Sequence, residues 1–130
     1  MRERLTPFGC NAMIRPMQAS LSDSELLARL VGFDSVSHKS NIPIADFICD
    51  YLDDPRIEIV RNFNTERTKV NVVLRLAGDA DSPKTRAGLA LSGHVDVVPA
   101  PEPNWESDPF TLRETPDRYV GRGACDMKGF

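Results

Sequence analysis

Basic residues do not outnumber acidic ones in this chain: 16 Lys and Arg face 19 Asp and Glu, for a net charge of −3. A nucleic-acid or anionic-membrane surface normally needs a basic excess, so neither partner is expected. Long apolar runs are also missing, and nothing approaches the ~20 residues of a membrane span. Cysteine is scarce and odd in number, with three residues, Cys10, Cys49 and Cys125. That is too few for a disulfide framework, and a reducing, cytoplasmic setting is the simpler reading. Aromatics make up only 7% of the chain, and His38 and His94 are its two histidines. What is present is globular in character: 130 residues, 41% hydrophobic and 27% charged, enough for one domain with a real core.

Residues 1–20 differ from the rest. Arg2, Arg4 and Arg15 stand against Glu3 alone, with two prolines and no unbroken apolar segment. A standard secretory signal is therefore excluded, and a flexible extension is expected. From residue 21 the pattern becomes regular. Ser22-Asp23-Ser24-Glu25 fits a capping box, and Leu26, Leu27, Leu30 and Val31 supply one helical stripe that Gly32 ends. Asn41 as cap and Pro43 in the first turn announce a second helix, with Ile44, Phe47, Ile48, Tyr51 and Leu52 on its buried face. Residues 56–60 alternate as a strand, and 69–76 form a more apolar β run. The polar stretch 78–85 reads as a turn. Leu89-Ala90-Leu91 has the short apolar form of a buried central strand, placing His94 just beyond its carboxyl end, where open α/β sheets bind ligands. Residues 99–116 are proline-rich and irregular, and Tyr119-Val120 returns briefly to strand.

Two short motifs carry the chemistry. In Ser92-Gly93-His94-Val95-Asp96-Val97-Val98-Pro99, imidazole is a common zinc ligand. Asp96, two residues on in extended chain, shares its face and can accept the other ring N–H. Taken alone, His-x-Asp fits a structural pair as well as a metal site. In Gly121-Arg122-Gly123-Ala124-Cys125-Asp126, the glycines allow close backbone approach and Asp126 offers hard oxygen donors. A plain glycine turn with a solvated aspartate fits that motif too. The lysine–serine/threonine ending of a phosphate loop is missing.

The combination is more specific. Ser-Gly-His-x-Asp-Val-Val-Pro, then Asn104-Trp105-x-x-Asp108-Pro109-Phe110, then Gly-Arg-Gly-x-Cys-Asp-Met-Lys-Gly, in that order and spacing, resembles the M20 metallopeptidase family. Within it the likeness runs to the amidohydrolases that deacetylate an amino-acid precursor in arginine biosynthesis. Leu30 to Ser37, with Ser40-Asn41, adds to the likeness, which covers residues 21–130. Desuccinylases of diaminopimelate synthesis and glutamate-releasing carboxypeptidases share the metal motifs.

The resemblance implies an α/β fold with a mixed, mostly parallel sheet flanked by helices, and residues 21–130 as the amino-terminal portion of the catalytic domain. It implies zinc as cofactor, two ions per complete site with cobalt as a substitute, and a small N-acyl amino acid as substrate. The complete enzyme would be a homodimer. His94 becomes a ligand of one zinc, Asp126 the carboxylate bridging both, and Asp96 the catalytic-site partner that orients His94. The family's paired glutamates, a further acidic ligand and a distant histidine have no counterpart in these 130 residues. The chain is therefore expected to be a fragment with negligible turnover of its own, and a non-catalytic piece is the competing reading. Cys125 is expected to pack or respond to redox state rather than bind metal, and Trp105 and Phe110 to pin the long loop. Lys128 is expected at the surface, and His38 plays no part in the site.

Overall fold

The computed structural model describes residues 2–4, 20–78, 88–101, 103 and 105–130. Helix α1 (Asp23–Val31) starts where its capping box forms: the Ser22 hydroxyl accepts from the Glu25 amide, and the Ser22 amide donates to Glu25 Oε2 at 2.8 Å. It ends as expected at Gly32, whose amide reaches back to Ala28 O at 3.0 Å. Val31 at its last turn is wholly buried.

Helix α2 (Ile42–Tyr51) carries Pro43 in its first turn and buries Ile44, Ala45 and Cys49. The remaining expected stripe positions, Phe47, Ile48, Tyr51 and Leu52, are half-buried. Phe47 packs between Phe33 and Tyr51, with ring centres 5.5 and 6.0 Å away. Asn41 does not cap this helix with its side chain. Its amide instead pairs with both backbone groups of Val70, Nδ2 donating to the carbonyl and Oδ1 accepting from the N–H, each at 2.9 Å. That bidentate bond pins α2 to the sheet.

Strands β2 (Ile57–Phe63) and β3 (Val70–Leu76) pair antiparallel, from Ile57↔Leu76 to Phe63↔Val70. Their turn is closed by Asn64, whose Oδ1 accepts from the Thr68 and Lys69 amides at 2.9 and 2.8 Å. The Arg61–Asp46 ion pair ties β2 to α2. A short strand β1 (Arg2–Arg4) lies antiparallel on the other side of β2, so these three residues of the expected flexible extension are paired. The rest of that extension, and most of the expected turn at 78–85, lie outside the described residues. Strands β4 (Arg113–Glu114) and β5 (Tyr119–Val120) form a separate antiparallel ribbon.

Two expectations need correction. The architecture is α/β, but its sheet pairings among the described residues are antiparallel, not mostly parallel. The cause is local: a six-residue connection joins β2 to β3, and parallel neighbours would need a crossover of a dozen residues or more. Among the described residues the one parallel contact is an isolated bridge, Val36↔Val97. Second, Leu89-Ala90-Leu91 is irregular rather than a buried strand, with Leu89 88% and Leu91 76% exposed. A strand is held by a neighbour's backbone, and none of the described residues pairs with it. An open cleft of about 1000 Å³ separates it from Val72–Leu76 of β3. No helix among the described residues is long and apolar enough to cross a membrane.

Candidate metal centre

His94 and Asp96 are positioned by the segment 33–37 that follows α1. Ser35 O accepts from the Val97 amide and Val97 O from the Ser37 amide, both at 3.0 Å, which lays 94–97 alongside 35–37. Ser35 Oγ adds a bond to Val95 O at 2.6 Å. The bridging valines, Val36 and Val97, are each 4% exposed, so apolar burial reinforces the ladder. The scaffold expected from a central strand end is thus supplied by Ser35 and Ser37.

Asp126 comes from the loop after β5. Gly123 has φ +80°, a conformation L side chains rarely adopt, and a Cβ there would lie 2.7 Å from Val97 Cγ1. Glycine lets this loop lie directly on the His94 segment. Met127 and Phe130 also approach this segment, where a Cβ on Gly93 would lie 3.5 and 3.2 Å from their side chains. The loop is braced by Arg122 N donating to Pro109 O at 2.7 Å and Lys128 N to Gly123 O at 2.9 Å. The Asp126–Met127 peptide is cis.

The two motifs meet. His94 Nε2 lies 3.1 Å from Asp126 Oδ1, although the residues are 32 positions apart. His94 Nδ1 lies 3.0 Å from the main-chain oxygen of Asp96 and 3.5 Å from its carboxylate. The orienting bond expected from the Asp96 side chain is therefore made mainly by its backbone. The carboxylate is turned instead to Ser37, whose Oγ donates to Oδ2 at 2.7 Å. His94 is about half exposed and Asp126 more so, which leaves the junction open to solvent. A cavity of about 490 Å³ opens beside His94, between it and Asn41, Ala45, Ile48, Val70 and Leu74.

The donor geometry fits a metal ion. A carbonyl oxygen only accepts, so Nδ1 carries the proton. In neutral imidazole the lone pair is then on Nε2, facing a carboxylate oxygen that is also an acceptor. Two such acceptors 3.1 Å apart repel unless either a second ring proton, on Nε2, makes the contact an imidazolium–carboxylate pair or a metal ion lies between them. Zinc takes histidine nitrogen at about 2.0–2.1 Å and carboxylate oxygen at about 2.0–2.2 Å, so both atoms could ligate one ion. Among the described residues no group of three His, Cys, Asp or Glu side chains is assembled to hold a metal.

The neighbours are placed as follows. His38 is exposed in the turn before α2. Cys125 is exposed rather than packed. Trp105 carries the Arg122 guanidinium 5.1 Å above its ring, pinning the long loop as expected. Lys128 contradicts expectation: it is only 5% exposed, with Nζ donating to Phe33 O at 2.7 Å. Burial pulls its ammonium down to about 8, while nearby Asp34 acts in the opposite direction. The sequence holds one signal for the serines: Ser35 and Ser37, at i and i+2, share a face in extended chain.

Residues 90–130 match the sequence model described as peptidase family M20/M25/M40. The match includes both His94 and Asp126. Over a longer stretch the chain is similar to the acetylornithine deacetylase of Buchnera aphidicola subsp. Acyrthosiphon pisum (strain Tuc7), 37% identical over 92 residues, or 71% of this chain and 23% of that protein. The acetylornithine deacetylase of Yersinia pseudotuberculosis serotype O:1b (strain IP 31758) is 36% identical over 75% of this chain and 25% of its own length. That of Aliivibrio salmonicida (strain LFI1238) is 33% identical over 75% of this chain and 24% of its own. The chain thus spans about a quarter of the length of these relatives.

Proposed function

We propose that this chain contributes the His94–Asp126 part of a zinc site that hydrolyses an N-acyl amino acid, with N2-acetylornithine as substrate and ornithine and acetate as products. The observation that carries the reading is the 3.1 Å approach of His94 Nε2 to Asp126 Oδ1, with Nδ1 3.0 Å from Asp96 O. The names of the relatives support the substrate. Zinc held there would supply Lewis acidity toward the scissile amide carbonyl.

This chain's own residues do the holding. The Asp96 carbonyl fixes the tautomer of His94, so that Nε2 presents its lone pair outward. Ser37 restrains the Asp96 side chain, and with it the turn that carries this carbonyl. Asp126 adds negative charge opposite Nε2, and the Gly123 contact sets its approach. A catalytic zinc takes about three protein donors, and His94 and Asp126 are two. Residues 1–130 alone are therefore expected to turn over negligibly, which keeps the non-catalytic reading alive for the isolated chain.

The test replaces the matching quarter of the Yersinia acetylornithine deacetylase with residues 21–130 and measures acetate release from N2-acetylornithine. The expected result is turnover that falls by more than about a hundredfold in H94A, because losing an orienting partner alone costs about 10–100-fold. Preference for an N-succinyl diamino acid or a glutamate-terminated peptide would reassign the substrate. Turnover untouched by H94A would refute the site.

A further inference from the structure

The geometry points to Lys128 as a positioning residue that sets Asp126 against His94 by tying the glycine loop to the segment 33–37. The inference rests on His94 and Asp126 being metal donors, and it adds a residue that touches neither.

Lys128 is the one buried lysine among the described residues. Its Nζ donates to Phe33 O at 2.7 Å and lies 5.9 Å from the Phe110 ring centre. Its stem runs past Gly123, where an added Cβ would come within 3.1 Å of Lys128 Cδ, and its amide closes the loop onto Gly123 O at 2.9 Å. Burying a cation costs free energy unless it is well partnered, and an apolar side chain of similar length would fill the slot more cheaply. Ammonium contributes what methionine lacks: a directed bond to one carbonyl.

The location of that carbonyl gives the bond its consequence. Two residues beyond Phe33, Ser35 grips Val95 and Val97, and Ser37 grips Asp96 and Val97. One five-residue segment therefore holds the His94 side through Ser35 and Ser37, and the Asp126 side through Lys128. Phe33 is itself packed against Phe47, so the frame is anchored on α2. Cutting the Lys128 bond frees the Asp126 side while leaving the His94 side in place.

The test titrates zinc into the full chain and its K128M, K128R, D126A and K128M/D126A variants, with urea unfolding run beside each. K128M keeps the stem and is expected to weaken zinc binding about tenfold, the low end of the about 10–100-fold known for partners behind a ligand. K128R keeps a donor at the end of the stem and should restore affinity to within about threefold. The double variant should bind no more weakly than D126A, because Lys128 acts through Asp126. If K128M does not fold, K128Q, too short to reach Phe33 O, takes its place with the same expected loss. Wild-type affinity in a folded K128M or K128Q, or additive losses in the double variant, would overturn the inference. Zinc binding unaffected by D126A would instead show that the metal reading itself is wrong.

Discussion

Replacing Gly123 with alanine should pry the two halves of the site apart. The added Cβ would sit 2.7 Å from Val97 Cγ1 and 3.1 Å from Lys128 Cδ. The first contact belongs to the His94 segment and the second to the Asp126 loop, so one methyl pushes on both. Holding alanine in a left-handed conformation costs about 1–2 kcal/mol. Forcing a methyl into an occupied space costs about 1–3 kcal/mol more. The total of about 2–5 kcal/mol is a large share of a small domain's stability. Gly88 is the internal control, because a Cβ there meets nothing within 4 Å. Urea unfolding of wild type, G123A and G88A reads the cost directly, and zinc titration reads its effect on the site. G123A should unfold at markedly lower urea or, if the loop yields locally, bind zinc at least about tenfold more weakly; G88A should do neither. A G123A chain matching wild type in both measurements would refute the close apposition of the loop and the His94 segment.

Three further outcomes follow from the same geometry. S22A should lower stability by about 1 kcal/mol, the usual value of a helix cap. Ser22 also holds Glu25 below its ordinary pKa of 4.5, so this contribution is present above that pH and lost on acidification; the acid limb of the stability profile should flatten in S22A. N41A should cost about 1–3 kcal/mol by leaving the Val70 backbone groups without their amide partner, while N41D keeps only the acceptor and should recover part of the loss, as denaturant midpoints would show. Purified residues 1–130 with excess zinc should release no measurable acetate from N2-acetylornithine, and turnover at ordinary enzyme rates that requires His94 would contradict the two-donor count.

Local order was readable wherever one side chain dictates it. Ser22 and Glu25 specify the start of α1, Pro43 the first turn of α2, and the alternation at 56–60 most of the strand β2. The two motifs around His94 and Asp126 were likewise legible, because their residue types carry the chemistry. What escaped were properties of pairing and burial. Leu89-Ala90-Leu91 has strand composition, but a strand exists only with a partner, and composition does not show which backbone lies beside it. Asn41 has the residue type of a cap, yet its amide reaches 29 positions along the chain to Val70. Asp96 was assigned a bond that its own carbonyl makes more directly, because Ser37 claims the carboxylate. Lys128 is hidden by charge: lysine defaults to the surface, and only the position of Phe33 O explains its burial.

The central claim is that His94 Nε2 and Asp126 share one metal ion. Two histidines make the imidazole ¹H–¹⁵N spectrum of the chain simple to assign. Without metal, His94 should show its proton on Nδ1, bonded to the Asp96 carbonyl. On adding zinc, the His94 Nε2 resonance should move to the position of a coordinated nitrogen, with Nδ1 still protonated and His38 unchanged, and D126A should shift the midpoint to higher zinc. A neutral His94 ring protonated on Nε2 alone, or a zinc response identical in wild type and D126A, would contradict the shared site.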